Sequence, residues 1–244
     1  WVLESYDWTK GFWPGVCWMQ YENTLDPKWK EAAESNQKIF LADKDLTNDH
    51  DLGFLFNNSY GKAYKITNDK KYKQVLIDAS NSLITRFNKN VGCIQSWDLK
   101  DNWQSKKGWS FPVIIDNMMN LEMLSWVSQH GGDSKYQQIA ETHSNTSMKE
   151  FYRQDYSSFH VVDFDQTTGK VLRKTTHQGA ANTSAWSRGQ EKMAGAAVGG
   201  GAMPGAPMGM PMQSPQPMGL NTPAAAPRPM PLCSARMEPS SSIA

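Results

Sequence analysis

The feature that most constrains this chain is a repeat at a spacing of 64 residues. Asp69, Lys71, Tyr72, Gln74, Val75, Ser80 and Asn81 recur as Asp133, Lys135, Tyr136, Gln138, Ile139, Ser144 and Asn145. Asp26-Pro27-Lys28-Trp29-Lys30-Glu31 is a weaker third copy. Each copy reads as a capping Asp followed by a helix with apolar residues at three-to-four spacing. Asp51 and Asp116 precede the two stronger copies by 18 and 17 residues. Each should therefore stand near the start of the partner helix in a hairpin. A period above 60 exceeds the roughly 34–47 residues of common helical solenoids. It suits long hairpins packed in a closed ring, with an inner and an outer layer of helices. Chance recurrence of a capping Asp with an aromatic three residues on is the competing explanation.

The remaining helices follow from caps and breakers. Asp26-Pro27 predicts a helix through Trp29, Ala32, Ala33 and Ile39 to about Ala42. A second helix should begin near Asp51 and carry Leu52, Leu55, Phe56, Tyr60 and Tyr64. A third opens at Asn68-Asp69. Ile114 to about Val127 reads as another, ended by Gly131-Gly132, with Asp133 capping the next. Strand-like pieces are confined to Phe159–Phe164 and the neighbourhood of Val171.

Composition divides the chain. All 27 aromatic residues lie at or before position 190, whereas residues 191–244 hold 10 of the 13 Pro and 8 of the 13 Met. Such a segment buries too little apolar surface to offset its ordering entropy, so 1–190 is expected to fold and 191–244 to be disordered. The first 190 residues carry 22 Lys and Arg against 22 Asp and Glu. That balance argues against a nucleic-acid binder or a polybasic membrane-surface protein. No run of 18 apolar residues suggests a membrane span. Cys17, Cys93 and Cys233 are too few and too far apart for a disulfide framework or a zinc site.

Four clusters stand out from ordinary helix surface. Trp8-Thr9-Lys10-Gly11-Phe12-Trp13-Pro14-Gly15 sets tryptophans beside Gly turns, which suits stacking on the apolar face of a sugar; for any one Trp, a place in the core is the commoner explanation. In His50-Asp51-Leu52-Gly53-Phe54 the Asp could be a simple helix cap. In Pro112-Val113-Ile114-Ile115-Asp116-Asn117-Met118-Met119-Asn120 a carboxyl sits among apolar neighbours. Ionising it there costs desolvation, which suits general acid work; the alternative is an Asp held by helix-start N–H groups. The fourth collects His160, His177, Gln178, Trp186 and Arg188 on loop-rich segments able to grip hydroxyl and acidic groups. No nucleophile elbow, phosphate-cradling loop or paired-His metal motif occurs.

Taken together these strings resemble the unsaturated glucuronyl hydrolases, glycoside hydrolase family 88. The resemblance is carried by Trp8–Gly15, His50–Phe54, Asn58–Gly61, Ser96-Trp97, Phe111–Glu122, Ser157–Asp163, His177–Gly179 and Ser184–Gln190, in the family's order across residues 5–190. It implies an all-α fold, the (α/α)6 barrel or six-hairpin toroid. It also implies removal of a 4,5-unsaturated glucuronic acid from the non-reducing end of lyase-generated oligosaccharides of glycosaminoglycan type. By this resemblance Asp116 matches the general acid/base and Asp51 the second essential carboxylate. His50, His160, Gln178, Trp186 and Arg188 match substrate contacts, and Trp8 a stacking aromatic. No metal or organic cofactor is implied, and the partner expected is an unsaturated oligosaccharide rather than nucleic acid or membrane.

The chain departs from that pattern after Arg188-Gly189-Gln190, where the family continues with further hairpins. The barrel is therefore expected to be incomplete on its C-terminal side. An opened barrel would leave inner-helix apolar faces in water, to the detriment of folding or activity. Two other functions compete: an unsaturated rhamnogalacturonyl hydrolase acting on pectin fragments, and a non-catalytic carbohydrate-binding remnant. The Val-Ile-Ile-Asp-Asn-Met-Met string favours the glucuronyl side. Oligomeric state is left open. So is localisation: the chain begins at Trp1, an N-terminal segment is expected to be missing, and the cytoplasm is favoured over secretion.

Overall fold

The structure is a computed structural model that describes residues 6–100, 106–177 and 181–185. The expected boundary at 190/191 lies outside them. Helices dominate: α1 (Phe12–Thr24), α2 (Pro27–Lys38), α3 (Leu52–Phe56), α4 (Lys62–Thr67), α5 (Lys70–Ile84), α6 (Leu121–Gln129) and α7 (Lys135–Phe151). Asn57–Gly61 between α3 and α4 is a single π turn. There the Asn58 and Ser59 side chains hydrogen-bond the Phe54 and Leu55 carbonyls at 2.9 and 2.6 Å, competing with the helix ladder.

The repeat is a repeat of structure. Asp69 and Asp133 each accept from the amide two residues on, Lys71 at 3.0 Å and Lys135 at 2.8 Å, and Asp26 does the same to Lys28 at 3.0 Å. Lys71 and Lys135 then lie over the rings of Tyr72 and Tyr136. Both tyrosines are buried, and each reaches back to the preceding hairpin: Tyr72 to Glu34 at 2.6 Å, Tyr136 to Asn81 at 2.7 Å. So α1 packs on α2, the α3–α4 run on α5, and α6 on α7. The first members neighbour one another, as do the second members. This is the architecture of the six-hairpin toroid.

The helical core contains Trp18, Phe40, Leu55, Phe56, Leu76 and Met123, each at most 2 % exposed. Trp18 donates its indole N–H to buried Gln37 at 2.9 Å. On α1, Phe12, Trp13, Val16 and Met19 are exposed. Cys17 and Cys93 are buried free thiols. No described helix is long and apolar enough to cross a membrane.

Two small antiparallel sheets sit among the hairpins. One pairs β1 (Phe87–Asn88) with β2 (Cys93–Ile94). The other has the order β3 (Phe111–Ile114), β4 (Val161–Phe164), β5 (Val171–Thr175). Both strand-like pieces read from the sequence are therefore strands. The helix expected from Ile114 is corrected: Ile114 ends β3, Ile115–Met119 is a 3-10 turn, and α6 begins only at Leu121. Pro112 and the β-branched run through Ile115 disfavour an early start, and pairing of Ile114 with Val161 fixes the strand. Asp163, fully buried on β4, binds the sheet together. It accepts from the Ser110 and Phe111 amides at 2.8 and 2.9 Å and pairs with Arg173 at 3.1 Å.

Candidate active site

Asp51 and Asp116 stand ahead of the first helix of successive hairpins, as their spacing from the repeat suggested. Asp51 occupies the N-cap position of α3 yet makes no side-chain capping bond there. Its amide instead donates to Asp49 Oδ1 at 2.8 Å, and the same oxygen accepts from the Tyr6 hydroxyl at 2.7 Å. Burial and the nearby Asp49 and Asp51 charges push the Tyr6 phenol far above its ordinary value, so it remains a donor.

His50 lies between the two carboxylates. It is 2 % exposed, and its Nδ1 is 3.6 Å from Asp51 Oδ1. Burial lowers its pKa, against opposing pulls from Asp49, Asp116 and a hydrogen bond to Asn117. The ring is therefore neutral near pH 7 and becomes easier to protonate only through its acidic neighbours. Asp116 is 7 % exposed, on the 3-10 turn between the buried Ile115 and Asn117. Asn117 donates to the Ile94 carbonyl at 2.9 Å and accepts from Asn120 at 3.2 Å.

His160 opens toward the same turn from β4. Its carbonyl accepts from the Ile115 amide at 3.0 Å, one residue before Asp116. Its Nδ1 lies 3.1 Å from Thr176 Oγ1 and accepts from the His177 amide at 3.1 Å, so the neutral ring carries its proton on Nε2. Trp8, half-buried, meets Phe54 edge-on at 5.4 Å, three residues after Asp51. Thus Asp51, Asp116, His50, His160 and Trp8 gather around the starts of α3 and α6. Gln178, Trp186 and Arg188 lie outside the described residues.

An aromatic wall flanks this cluster. Trp97 stacks on Trp109 at 5.6 Å, meets His177 at 4.5 Å and presents its ring to His50 at 5.9 Å. Asp49 bridges to Trp97 in an isolated antiparallel pair, which ties the wall to the carboxylates. Burial, then the charge of Lys107, lowers His177 to about 4, so it is a neutral ring at physiological pH. Trp97 appeared in the sequence only as part of the Ser96-Trp97 string; Trp109 had no local signal beyond being a Trp. Among the described residues, Asp49, His50 and Asp51 bring ligand atoms within 4.8 Å of one another, a set that could hold a metal. Asp49 there already serves Tyr6 and the Asp51 amide, so the donor set is partly occupied by protein contacts.

Comparison with known proteins gives the following. An unsaturated glucuronyl hydrolase of Formosa agariphila is 43 % identical over 189 residues, covering 77 % of this chain and 46 % of that protein. An unsaturated chondroitin disaccharide hydrolase of Streptococcus pneumoniae is 37 % identical over 193 residues, 78 % of this chain and 47 % of its own length. A crystal structure of an unsaturated glucuronyl hydrolase specific for heparin superimposes with a TM-score of 0.70 at 44 % identity, over 76 % of this chain and 48 % of that one. No protein-family model matches the chain. The chain spans about half the length of the curated relatives it matches.

Proposed function

This chain belongs to the unsaturated glucuronyl hydrolase family, and from that premise we propose that its site removes a 4,5-unsaturated glucuronic acid from lyase-generated glycosaminoglycan fragments. The observation that carries the reading is the convergence of Asp51 and Asp116 on His50, beside a wall of tryptophans. The C4=C5 bond of the sugar is an enol ether. Asp116, as the carboxylic acid, gives its proton to C4, and positive charge develops on C5 and the ring oxygen. A water attacks C5 and loses a proton to the Asp116 carboxylate, which restores the acid. The resulting C5 hemiketal opens the pyranose ring and expels the aglycone. One carboxyl group serves as both acid and base, so the separation rules for paired glycosidase carboxylates do not apply.

Asp51 binds the sugar hydroxyls, and its negative charge favours the cation formed at C5. His50 and His160 supply hydrogen bonds, and Trp8 and Trp97 offer flat faces to the apolar side of pyranose rings. Gln178, Trp186 and Arg188 are proposed as further substrate contacts on the resemblance alone. The buried setting of Asp116 keeps bulk water from competing for the proton.

Relatives named for chondroitin disaccharides and for heparin support a glycosaminoglycan substrate over a pectin fragment. The test is incubation with unsaturated chondroitin, heparin and rhamnogalacturonan disaccharides, following loss of the ultraviolet absorbance of the conjugated enol ether. Loss with the first two and none with the third is expected. Loss only with the pectin fragment would favour the rhamnogalacturonyl alternative. Binding without loss would favour a non-catalytic carbohydrate-binding remnant.

A further inference from the structure

An Asp at the start of a helix ordinarily turns its carboxylate back onto the amides of the second or third helical residue. Asp26 and Asp69 do so in this chain. Asp51 does not: it sits at the N-cap position of α3 with φ −83° and ψ 22° and makes no side-chain cap. The amide it would normally take, that of Phe54, instead donates to Asn120 Oδ1 at 3.1 Å, from 66 residues further along the chain.

This borrowed cap is built into the fold. Asn120 is fully buried, and its Nδ2 donates to Asn117 Oδ1 at 3.2 Å, while Asn117 Nδ2 donates to the Ile94 carbonyl at 2.9 Å. Both amide side chains are thereby fixed in orientation. Gly53 makes room for the approach: a Cβ there would lie 2.7 Å from Asn120 Oδ1. The same two asparagines flank the turn that carries Asp116. We infer that Asn120 is a positioning residue that caps α3 in place of Asp51, so that the Asp51 carboxylate is held toward His50 and the substrate rather than folded onto its own helix. This rests on the reading of Asp51 as the second carboxylate of the site.

The experiment follows the Asp51 carboxyl carbon by NMR through a pH titration of the full chain, in wild type, Asn120→Ala and Asn120→Asp. In Asn120→Ala, Asp51 should take over the Phe54 amide. Its titration midpoint should then fall by about one unit or more, as expected for a carboxylate accepting backbone N–H bonds. Turnover of an unsaturated disaccharide should fall at least about tenfold, more in kcat than in KM. Asn120→Asp keeps an acceptor for Phe54, so its Asp51 midpoint should not fall below wild type. An unmoved midpoint in folded Asn120→Ala overturns the inference. A wild-type measurement tests it even if that variant fails to fold. The Phe54 and Gly53 amide protons should not shift with ionisation of Asp51, and shifts that track it overturn the proposal. If the Asp51 midpoint behaves as expected but wild type turns over no substrate, the hydrolase reading fails and the role of Asn120 stands. Turnover in wild type with an unmoved midpoint is the reverse case.

Discussion

Gly53 and Asn120 meet backbone to backbone: a Cβ on Gly53 would lie 2.5 Å from Asn120 Cα. That contact joins the first helices of two successive hairpins at the level where Asp51 and Asp116 stand. Gly53→Ala must push the two apart. A destabilisation of about 1–3 kcal/mol, the usual cost of overpacking, is expected in urea unfolding. Turnover should fall more than stability does, because the displacement falls between the two carboxylates.

The capping aspartates and the site aspartates should separate cleanly on mutation. Asp26→Ala removes a working cap and should lower stability by about 1 kcal/mol with turnover unchanged. Asp69→Ala and Asp133→Ala should act in the same direction. Asp51→Ala removes no cap, so it should cost little in the unfolding transition while abolishing turnover. Equal stability losses across the four variants would contradict this assignment.

His143 gives the folded protein a specific acid sensitivity. It is fully buried on α7, and its Nδ1 accepts from the Ile94 amide at 3.0 Å. Burial, helped by the nearby His50, lowers it to about 3. An unfolded histidine titrates near 6.5. Between those values the unfolded chain takes up a proton that the folded chain refuses. This contribution to stability is therefore complete above about pH 6.5 and is lost as pH falls toward 3. His143→Gln should flatten the decline of Tm with acidification over that window, and an unchanged slope would contradict the account.

Trp97 is held by Trp109, His177 and His50, so its ring has one orientation to offer a sugar. Trp97→Ala should raise KM roughly tenfold, equivalent to the ~1 kcal/mol typical of an aromatic contact, with a smaller effect on kcat. Tryptophan fluorescence titrated with an unsaturated disaccharide should lose most of its response in the same variant.

What the sequence revealed and what it hid follow from the range of the forces involved. Asp69 and Asp133 announced their helices because a cap is a contact between residues two apart. The pairing of Asp51 with Asp116 was legible because both stand at the same offset from those caps. Phe111–Ile114 was misread at its end because a strand buried on both faces shows no alternation, and its apolar run merges with that of α6. Asn120, Asn117 and His143 were invisible as site components. Their partners lie 66, 23 and 49 residues away, and no local pattern marks an amide or imidazole that will meet such a partner. The joining of Trp109 and His177 to Trp97 likewise depends on where β3 and β5 end within one sheet.

The most direct measurement compares wild type with Asp116→Asn on an unsaturated chondroitin or heparin disaccharide, following loss of the enol-ether absorbance, with circular dichroism as the control for folding. If Asp116 delivers the proton to C4, the variant keeps the helical spectrum and loses roughly 10²–10⁴-fold in rate, the range of general acid–base catalysis. A folded Asp116→Asn protein that retains more than about a tenth of the wild-type rate would contradict the assignment of the acid.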